Sequence, residues 1–224
     1  MIDKALALLS PHICKACRAP GETLCNSCFF DITEDNFGRC IVCDVVTSRD
    51  CLCRACSAKT PISRAFVVGE REGVLRRLVG DFKYNSERAS AEVLGRLFDA
   101  ILPDLPLSTV VIPIPTIAPH IRQRGFDHML LVAQRLSKMR GWRCDNRLLR
   151  RADNSVQHGL SASKRRVQAA KAFEINPHRP APREVLLIDD IFTTGATTMA
   201  AARFLKKAGV EVVNLGIIAR QTKD

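Results

Sequence analysis

The clearest pattern of apolar and polar positions lies near the end of the chain. Residues 185–188 are all apolar and run into two adjacent carboxylates, Asp189 and Asp190, which is typical of a short strand buried on both faces of a parallel sheet. Residues 196–209 have helical character with a glycine as the stop, and residues 210–219 predict another strand. This order predicts an α/β sheet whose ligands bind at the carboxyl ends of the strands.

A second apolar run, residues 110–114, predicts another buried strand that ends at prolines opening a loop. Arg122 and Arg124 follow in this loop and precede Gly125, where backbone N–H groups could face an anion. Arginine binds the oxygens of phosphate and pyrophosphate well. Taken alone, the same residues are also typical of a solvated loop.

The turn between the last predicted strand and helix has the composition of an anion site. The helix dipole favours negative charge there, and a glycine lets the backbone approach a ligand closely. The residues predicted to hold the anion are Thr193, Thr194, Gly195, Ala196 and Thr197. Asp189 and Asp190 by themselves fit a solvated strand end, but they can also accept hydrogen bonds from a vicinal diol. A ligand that carries both a phosphate and a ribose satisfies the whole stretch.

Cysteines are concentrated at the other end of the chain, where residues 14–56 hold nine of the ten. This predicts a cysteine-rich module over residues 1–60 and a larger domain over residues 61–224. Eight of the cysteines form four CxxC pairs, and two such pairs can supply a tetrahedral four-sulfur site that suits Zn²⁺. The predicted ligands are Cys14, Cys17, Cys25, Cys28, Cys40, Cys43, Cys53 and Cys56, with Cys51 left over.

The pairing of these cysteines is open. Sequential pairing, which gives two sites, is the simplest, while interleaved pairing, a single occupied site, an iron–sulfur cluster and free or disulfide-bonded cysteines are alternatives. Four-thiolate sites leave no coordination position open, so the zinc is expected to be structural.

Charge adds a second candidate function. The formal net charge is +11, and residues 140–183 hold eleven Lys and Arg against three acids, which is the electrostatic footprint of a nucleic-acid partner. Single-strand binding normally adds stacking aromatics, which make up only 5% of the chain, with Trp142 inside the basic stretch. No apolar run is long enough to span a membrane and no signal peptide is recognisable, so we expect a cytoplasmic protein with reduced cysteines.

Residues 185–197, VLLIDDIFTTGAT, closely resemble the signature of type I phosphoribosyltransferases that binds 5-phosphoribosyl pyrophosphate (PRPP). The resemblance implies the fold of that class, a mostly parallel sheet flanked by helices. It also implies that Asp189 and Asp190 hold the ribose as the catalytic pair, that the threonine turn holds the 5-phosphate, and that Mg²⁺ is shared between ribose and pyrophosphate. Enzymes of this class that act on 6-oxopurines have an acidic base where Thr193 stands, so that substrate class is not expected.

Together with the cysteine module, the chain resembles the ComF family over nearly its whole length. The shared features are the CxxC module, FKY at residues 82–84, R-x-R-G-F at residues 122–126 and Q-x-G-L at residues 157–160. The resemblance implies a protein that binds PRPP, Mg²⁺ and one or two structural zinc ions and that handles single-stranded DNA during DNA uptake or natural transformation. The partners expected from it are PRPP, single-stranded DNA and a DNA-uptake helicase of the competence system.

The chain departs from the usual R-G-F-N-Q of the family at Asp127 and His128, and from a common threonine at Asn154. A carboxylate in a pyrophosphate loop weakens anion binding unless it points away or meets Mg²⁺. His128 and His158 are conceivable proton carriers. Residues 150–171 lie where a mobile lid could close, or they form a basic surface loop.

Whether the protein catalyses a reaction is open. An active phosphoribosyltransferase, and hence a glycosyltransferase, would act on a nucleobase or amine that the sequence does not identify. A PRPP-sensing regulator without turnover is the other alternative. Since the last predicted strand lies close to Asp224, any hood over an acceptor base is expected to come from the N-terminal part, such as the zinc module.

Overall fold

The computed structural model describes residues 12–34, 37–47, 50–84, 89–152 and 172–221. Its strands are β1 (Arg64–Glu70), β2 (Val110–Pro113), β3 (Arg143–Cys144), β4 (Leu149–Arg151), β5 (Phe173–Ile175), β6 (Glu184–Phe192) and β7 (Val212–Arg220). Five of them form one parallel sheet in the order β1-β7-β6-β2-β3, and β4 pairs with β5 in a small antiparallel sheet. The buried strand predicted over residues 185–188 is the first half of β6.

Helices cover both faces of the parallel sheet. They are α1 (Asn26–Glu34), α2 (Arg54–Ser57), α3 (Gly73–Tyr84), α4 (Ser90–Ile101), α5 (Ala118–Arg124), α6 (His128–Arg140) and α7 (Ala196–Lys207). One core lies between the sheet and the apolar faces of α3, α4 and α6, and the other lies between the sheet, α7 and the β4–β5 pair. The predicted class, a mostly parallel sheet flanked by helices with an N-terminal cysteine module, is confirmed.

The cysteine module consists of two similar knuckles, residues 14–28 and residues 40–56, that pack on opposite faces of the sheet. In each knuckle, the N–H of the first cysteine bonds a carbonyl five residues on, Cys14 to Ala19 at 2.8 Å and Cys40 to Val45 at 2.7 Å. The first knuckle contributes to the core that contains α3 and α4, and the second contributes to the core that contains α7. Both cores include side chains of the edge strand β1, so the module is packed against the larger domain on either side of that strand.

Two local predictions differ from the structure. Residues 118–124, predicted as part of a loop, form helix α5. Pro119 is tolerated there because it lies in the first turn, where a backbone N–H has no hydrogen-bond partner within the helix. Strand β6 does not end before Asp189 but continues to Phe192, paired with β7 throughout. Asn154, His158, the Q-x-G-L stretch and most of the predicted lid lie outside the described residues.

Within the described ranges, no helix combines the length and the apolar character that a membrane-spanning segment requires.

Candidate functional site

A polar cavity of about 290 Å³ opens where β2 and β6 end. Residues 114–117, which follow β2, form one wall, and the aspartates of β6 form another. Its titratable lining residues are Lys83, His120, Arg124, His128, Arg151, Asp189 and Asp190. This is the edge of the sheet at which a doubly wound α/β fold binds ligands.

The two aspartates are neighbours in β6, but their environments differ. Asp190 is 4% exposed. Lys83 Nζ donates to its Oδ1 at 2.8 Å, and His128 Nε2 lies 2.6 Å from its Oδ2. Asp189 keeps a small solvent-accessible surface although its carboxyl group is largely surrounded by protein, and its Oδ1 accepts the backbone N–H of Asp190 at 3.0 Å. Each carboxylate oxygen of Asp190 therefore has a donor from a different helix.

These environments shift the two pKa values in opposite directions. Burial, together with the negative charge of Asp190, raises the pKa of Asp189 to about 8. Burial alone would also raise the pKa of Asp190, but the hydrogen bond with His128 and the charge of Lys83 lower it. The negative charge of the pair is therefore favoured on Asp190 over Asp189.

The turn after β6 has the geometry of an anion site. Gly195 has a φ of +72° and precedes the twelve-residue helix α7 as its N-cap. A Cβ at this position would lie 2.4 Å from the ring of Phe192, so both the backbone and the packing require glycine. Thr193, Thr194 and Thr197 are exposed, and Thr197 lines the same cavity as the aspartates. Hydroxyl groups and the amino end of a helix are thus available to an anion beside the carboxylates.

The two arginines predicted for pyrophosphate lie in the last turn of α5. Arg124 lines the cavity, whereas Arg122 is exposed and is not among the described lining residues. Gly125 ends the helix with a φ of +75°, and its N–H donates to the carbonyl of Ile121 at 2.8 Å. The N–H of Gly125 is therefore engaged by the helix, and Arg124 is the group placed to contact an anion in the cavity.

Asp127 does not line the described cavity. Its Oδ1 accepts the hydroxyl of Thr116 at 3.0 Å and the backbone N–H of Leu130 at 3.4 Å. The second contact caps the N-terminus of α6, where a carboxylate is favourable. The carboxylate that departs from the family pattern is thus engaged by the helix start.

Lys83 and Arg151 were not singled out as site residues by the sequence. Lys83 appeared only as the middle of the FKY motif, and Arg151 only as one member of a basic stretch. In the fold, Lys83 reaches Asp190, which lies 107 positions later, and Arg151 Nε donates to the carbonyl of Pro115 at 3.0 Å. No periodic pattern in a single sequence identifies contacts over such separations.

The eight paired cysteines form two groups that follow the order of the chain. One comprises Cys14, Cys17, Cys25 and Cys28, and the other comprises Cys40, Cys43, Cys53 and Cys56, with the sulfur atoms of each group within 4.8 Å of one another. The Sγ–Sγ distances include 3.7 Å for Cys14–Cys25 and 3.6 Å for Cys43–Cys53. A tetrahedral site with Zn–S bonds of about 2.3 Å has S–S edges of about 3.8 Å. Each group could therefore hold one zinc ion.

The pKa values of the thiols differ within each group. Burial alone would raise the pKa of Cys14, but backbone N–H groups, led by that of Cys25, lower it to about 6. Burial likewise opposes the N–H groups that lower the pKa of Cys40 to about 7. In contrast, the neighbouring sulfur of Cys25 is the main cause that raises the pKa of Cys28 to about 12. Four thiolates repel one another, and a divalent metal removes that repulsion.

Cys51, the unpaired member of the series, belongs to neither group. It is 8% exposed, and burial raises the pKa of its thiol to about 11. Its N–H donates to the carbonyl of Ala65 in β1 at 2.7 Å. It is a core residue that joins the second knuckle to the sheet edge. No cysteine is among the described lining residues of the cavity.

Comparison with known proteins finds relatives named for competence or DNA utilization, and these align with most of the chain. Competence protein F of Haemophilus influenzae is 29% identical over 180 residues, which cover 75% of this chain and 78% of that protein. DNA utilization protein YhgH of Salmonella typhi is 26% identical over 227 residues, covering 95% of this chain and 99% of that protein. A solved hypoxanthine phosphoribosyltransferase of Trypanosoma cruzi covers 60% of this chain and 65% of its own at 12% identity and a TM-score of 0.35. No family model matches the chain.

Proposed function

We propose that this chain, which is a homologue of Competence protein F and DNA utilization protein YhgH over most of its length, binds PRPP together with Mg²⁺. The observation that carries the proposal is the shared cavity: the carboxyl pair, Thr197 of the turn after β6 and Arg124 all line it. A diol acceptor, an anion site and a guanidinium are the three groups that a phosphorylated ribose with a pyrophosphate requires.

Each part of the ligand has a counterpart in the site. Asp189 and Asp190 accept the ribose hydroxyls, and residues 193–197 hold the 5-phosphate. Three cations are assigned to the pyrophosphate: Arg124 and Lys83, which line the cavity, and the exposed Arg122 in the last turn of α5. Mg²⁺ suits a site of carboxylate, hydroxyl and phosphate oxygens, and when bound it would neutralise charge on the pyrophosphate.

If the protein is an enzyme, the reaction is the displacement of pyrophosphate from the anomeric carbon of the ribose. In that reaction the residues of this chain would orient the sugar, exclude water and stabilise the leaving group with positive charge. Thr193 is not an acid, which argues against 6-oxopurine acceptors. An unidentified nucleobase or amine acceptor and a PRPP sensor without turnover both fit the site.

The cysteine groups are proposed to bind one zinc ion each, in closed sites that stabilise the fold. All-thiolate coordination leaves no position for a substrate, and neither group lines the described cavity.

The PRPP assignment is tested by replacing both aspartates with asparagine, which keeps the shape of the side chains and removes the carboxylates. Asp189→Asn with Asp190→Asn is expected to abolish PRPP binding in the presence of Mg²⁺, as measured by calorimetry. Unchanged thermal unfolding and zinc content serve as the control for the fold. Equal PRPP affinity in this variant and the unsubstituted protein would disprove the site assignment.

A role in handling single-stranded DNA in the cytoplasm, in concert with a competence helicase, is the second candidate function. The names of the relatives support a role in competence or DNA utilization, and three exposed arginines, Arg143, Arg147 and Arg150, offer positive charge for a nucleic-acid backbone. Other basic residues of the same stretch are neutralised internally, for example Arg179, which binds Asp145 at 2.7 Å. Trp142 is buried beneath Arg140 and is not available for base stacking.

This second function predicts that affinity for single-stranded DNA falls steeply with salt and that replacing the three exposed arginines with glutamine flattens that dependence. Fluorescence anisotropy with a labelled oligonucleotide measures both. Binding that is indifferent to salt, or absent, would contradict it.

A further inference from the structure

The imidazole of His128 lies between two groups of the proposed ligand site. Its Nε2 is 2.6 Å from Asp190 Oδ2, and its Nδ1 is 3.1 Å from Arg124 Nη1. The side chain is 7% exposed, and the ring of Phe82 packs edge-on against it at a centroid distance of 5.6 Å. The ring is therefore buried and contacts fixed partners on both of its nitrogens.

Hydrogen-bond chemistry determines which nitrogen carries the proton. A guanidinium can only donate, so the Nδ1 that faces Arg124 must accept. The hydroxyl of Thr116 lies 3.4 Å from the same nitrogen, but its proton goes to Asp127 Oδ1 at 3.0 Å, since a carboxylate can only accept. This set of partners favours a ring that accepts at Nδ1 and donates from Nε2 to Asp190.

We propose that His128 is a positioning residue that joins Arg124 to Asp190 and orients Asp190 for the ribose and its cation. The inference rests on the proposed PRPP site. Lys83 on Oδ1 and His128 on Oδ2 hold the plane of the Asp190 carboxylate from two different helices. Arg124, assigned to the pyrophosphate, is held by the opposite side of the same imidazole. One ring therefore sets the spacing between the sugar end and the pyrophosphate end of the site.

Two substitutions separate this role from simple packing. A glutamine offers an N–H donor and a carbonyl acceptor, as this tautomer of histidine does, so His128→Gln can keep both hydrogen bonds. Leucine fills much of the same space and removes both of them. Among the described residues, His128→Leu leaves Asp190 with Lys83 as its remaining side-chain donor and removes the imidazole acceptor of Arg124.

The experiment is a PRPP titration in the presence of Mg²⁺ on the zinc-loaded protein. His128→Leu is expected to weaken binding by about tenfold or more, the usual effect of losing a group that orients a ligand-binding side chain, and His128→Gln to restore most of that loss. His178→Leu, at an exposed histidine in the turn after β5, is the matched control. Normal affinity in the leucine variant, or an equal loss in both His128 variants, would overturn the proposal.

The tautomer is tested without PRPP by long-range ¹H–¹⁵N spectra of the imidazole. A neutral ring with its proton on Nε2 is expected, and a proton on Nδ1 or on both nitrogens would overturn the role of His128 even if PRPP binds normally. Failure of the unsubstituted protein to bind PRPP would overturn the proposed function, and this role with it, whichever tautomer is found.

Discussion

Gly195 stands where strand β6 turns into helix α7, beside the carboxyl pair. Its φ of +72° lies in the left-handed region, and the ring of Phe192 occupies the space that a Cβ would enter. The sequence predicted a glycine that brings the backbone close to an anion, and this part of the prediction depends only on contiguous residues. The contact with Phe192 was not predictable, because it depends on how the turn folds back on the strand.

Gly195→Ala is expected to lower the free energy of unfolding by about 2 kcal/mol or more, since it adds left-handed strain to a clash with Phe192. It should weaken PRPP binding as well, because the turn must shift. Denaturant unfolding and calorimetry measure the two effects.

Gly141→Ala is the matched control for this change. Gly141 has a φ of +67° with nothing within 4 Å of its Cβ position, so only the backbone strain of about 1 kcal/mol applies. An equal loss of stability in the two variants would show that the Phe192 contact contributes nothing.

At the scale of elements, helix α6 explains how the negative charge of Asp127 is tolerated near the proposed anion site. Asp127 caps the first turn of α6 and accepts the hydroxyl of Thr116. The sequence placed this carboxylate in a loop because the prolines before it are typical of loops. The structure instead has a short helix before it, α5, so Asp127 lies between two helices and serves the second.

Asp127→Ala is expected to destabilise the protein by about 1 kcal/mol, the usual cost of losing an N-cap. Asp127→Asn should keep the cap and most of the stability, and it should not tighten PRPP binding, because the carboxylate is engaged by the helix. Urea unfolding and PRPP titration measure these effects. A marked gain in PRPP affinity in the asparagine variant would show that the carboxylate does oppose the anion.

At the scale of the whole molecule, the cysteine module is part of the core. Leu24 of the first knuckle packs in one core, and Ile41 of the second packs in the other. The sequence predicted the ligands and their simplest pairing, since CxxC spacing is local. It placed a boundary near residue 60, but it could not show that the module packs on both faces of β1, which is set by contacts between distant segments.

Removal of zinc with a chelator is therefore expected to lower the unfolding temperature of the whole chain in one transition, because both cores lose a packed knuckle. The unsubstituted protein should contain two zinc ions. Cys17→Ala and Cys43→Ala, at exposed ligands, should each retain one, while Cys51→Ala, the control, should retain two. Loss of zinc in the Cys51 variant would contradict the assignment of the two groups.

The contiguous part of the site was predictable from the sequence, but its contacts with distant residues were not. The aspartates and threonines lie within nine consecutive residues, and their joint pattern is specific. Lys83 and His128 reach Asp190 from other helices, and nothing periodic in their own segments points to it. The fold brings them together, and it thereby gives Asp190 and Asp189 different pKa values.

The central claim is tested most directly by calorimetric titration of the zinc-loaded protein with PRPP, with and without Mg²⁺. The account predicts saturable binding of one PRPP per chain that weakens strongly when Mg²⁺ is withheld, because Mg²⁺ is shared between the ribose and the pyrophosphate. Repeating the titration with single-stranded DNA present would show whether the two candidate functions are coupled. No heat of binding at millimolar PRPP in the presence of Mg²⁺, confirmed by an unchanged unfolding temperature, would contradict it and leave the exposed arginines and the zinc module to carry the function.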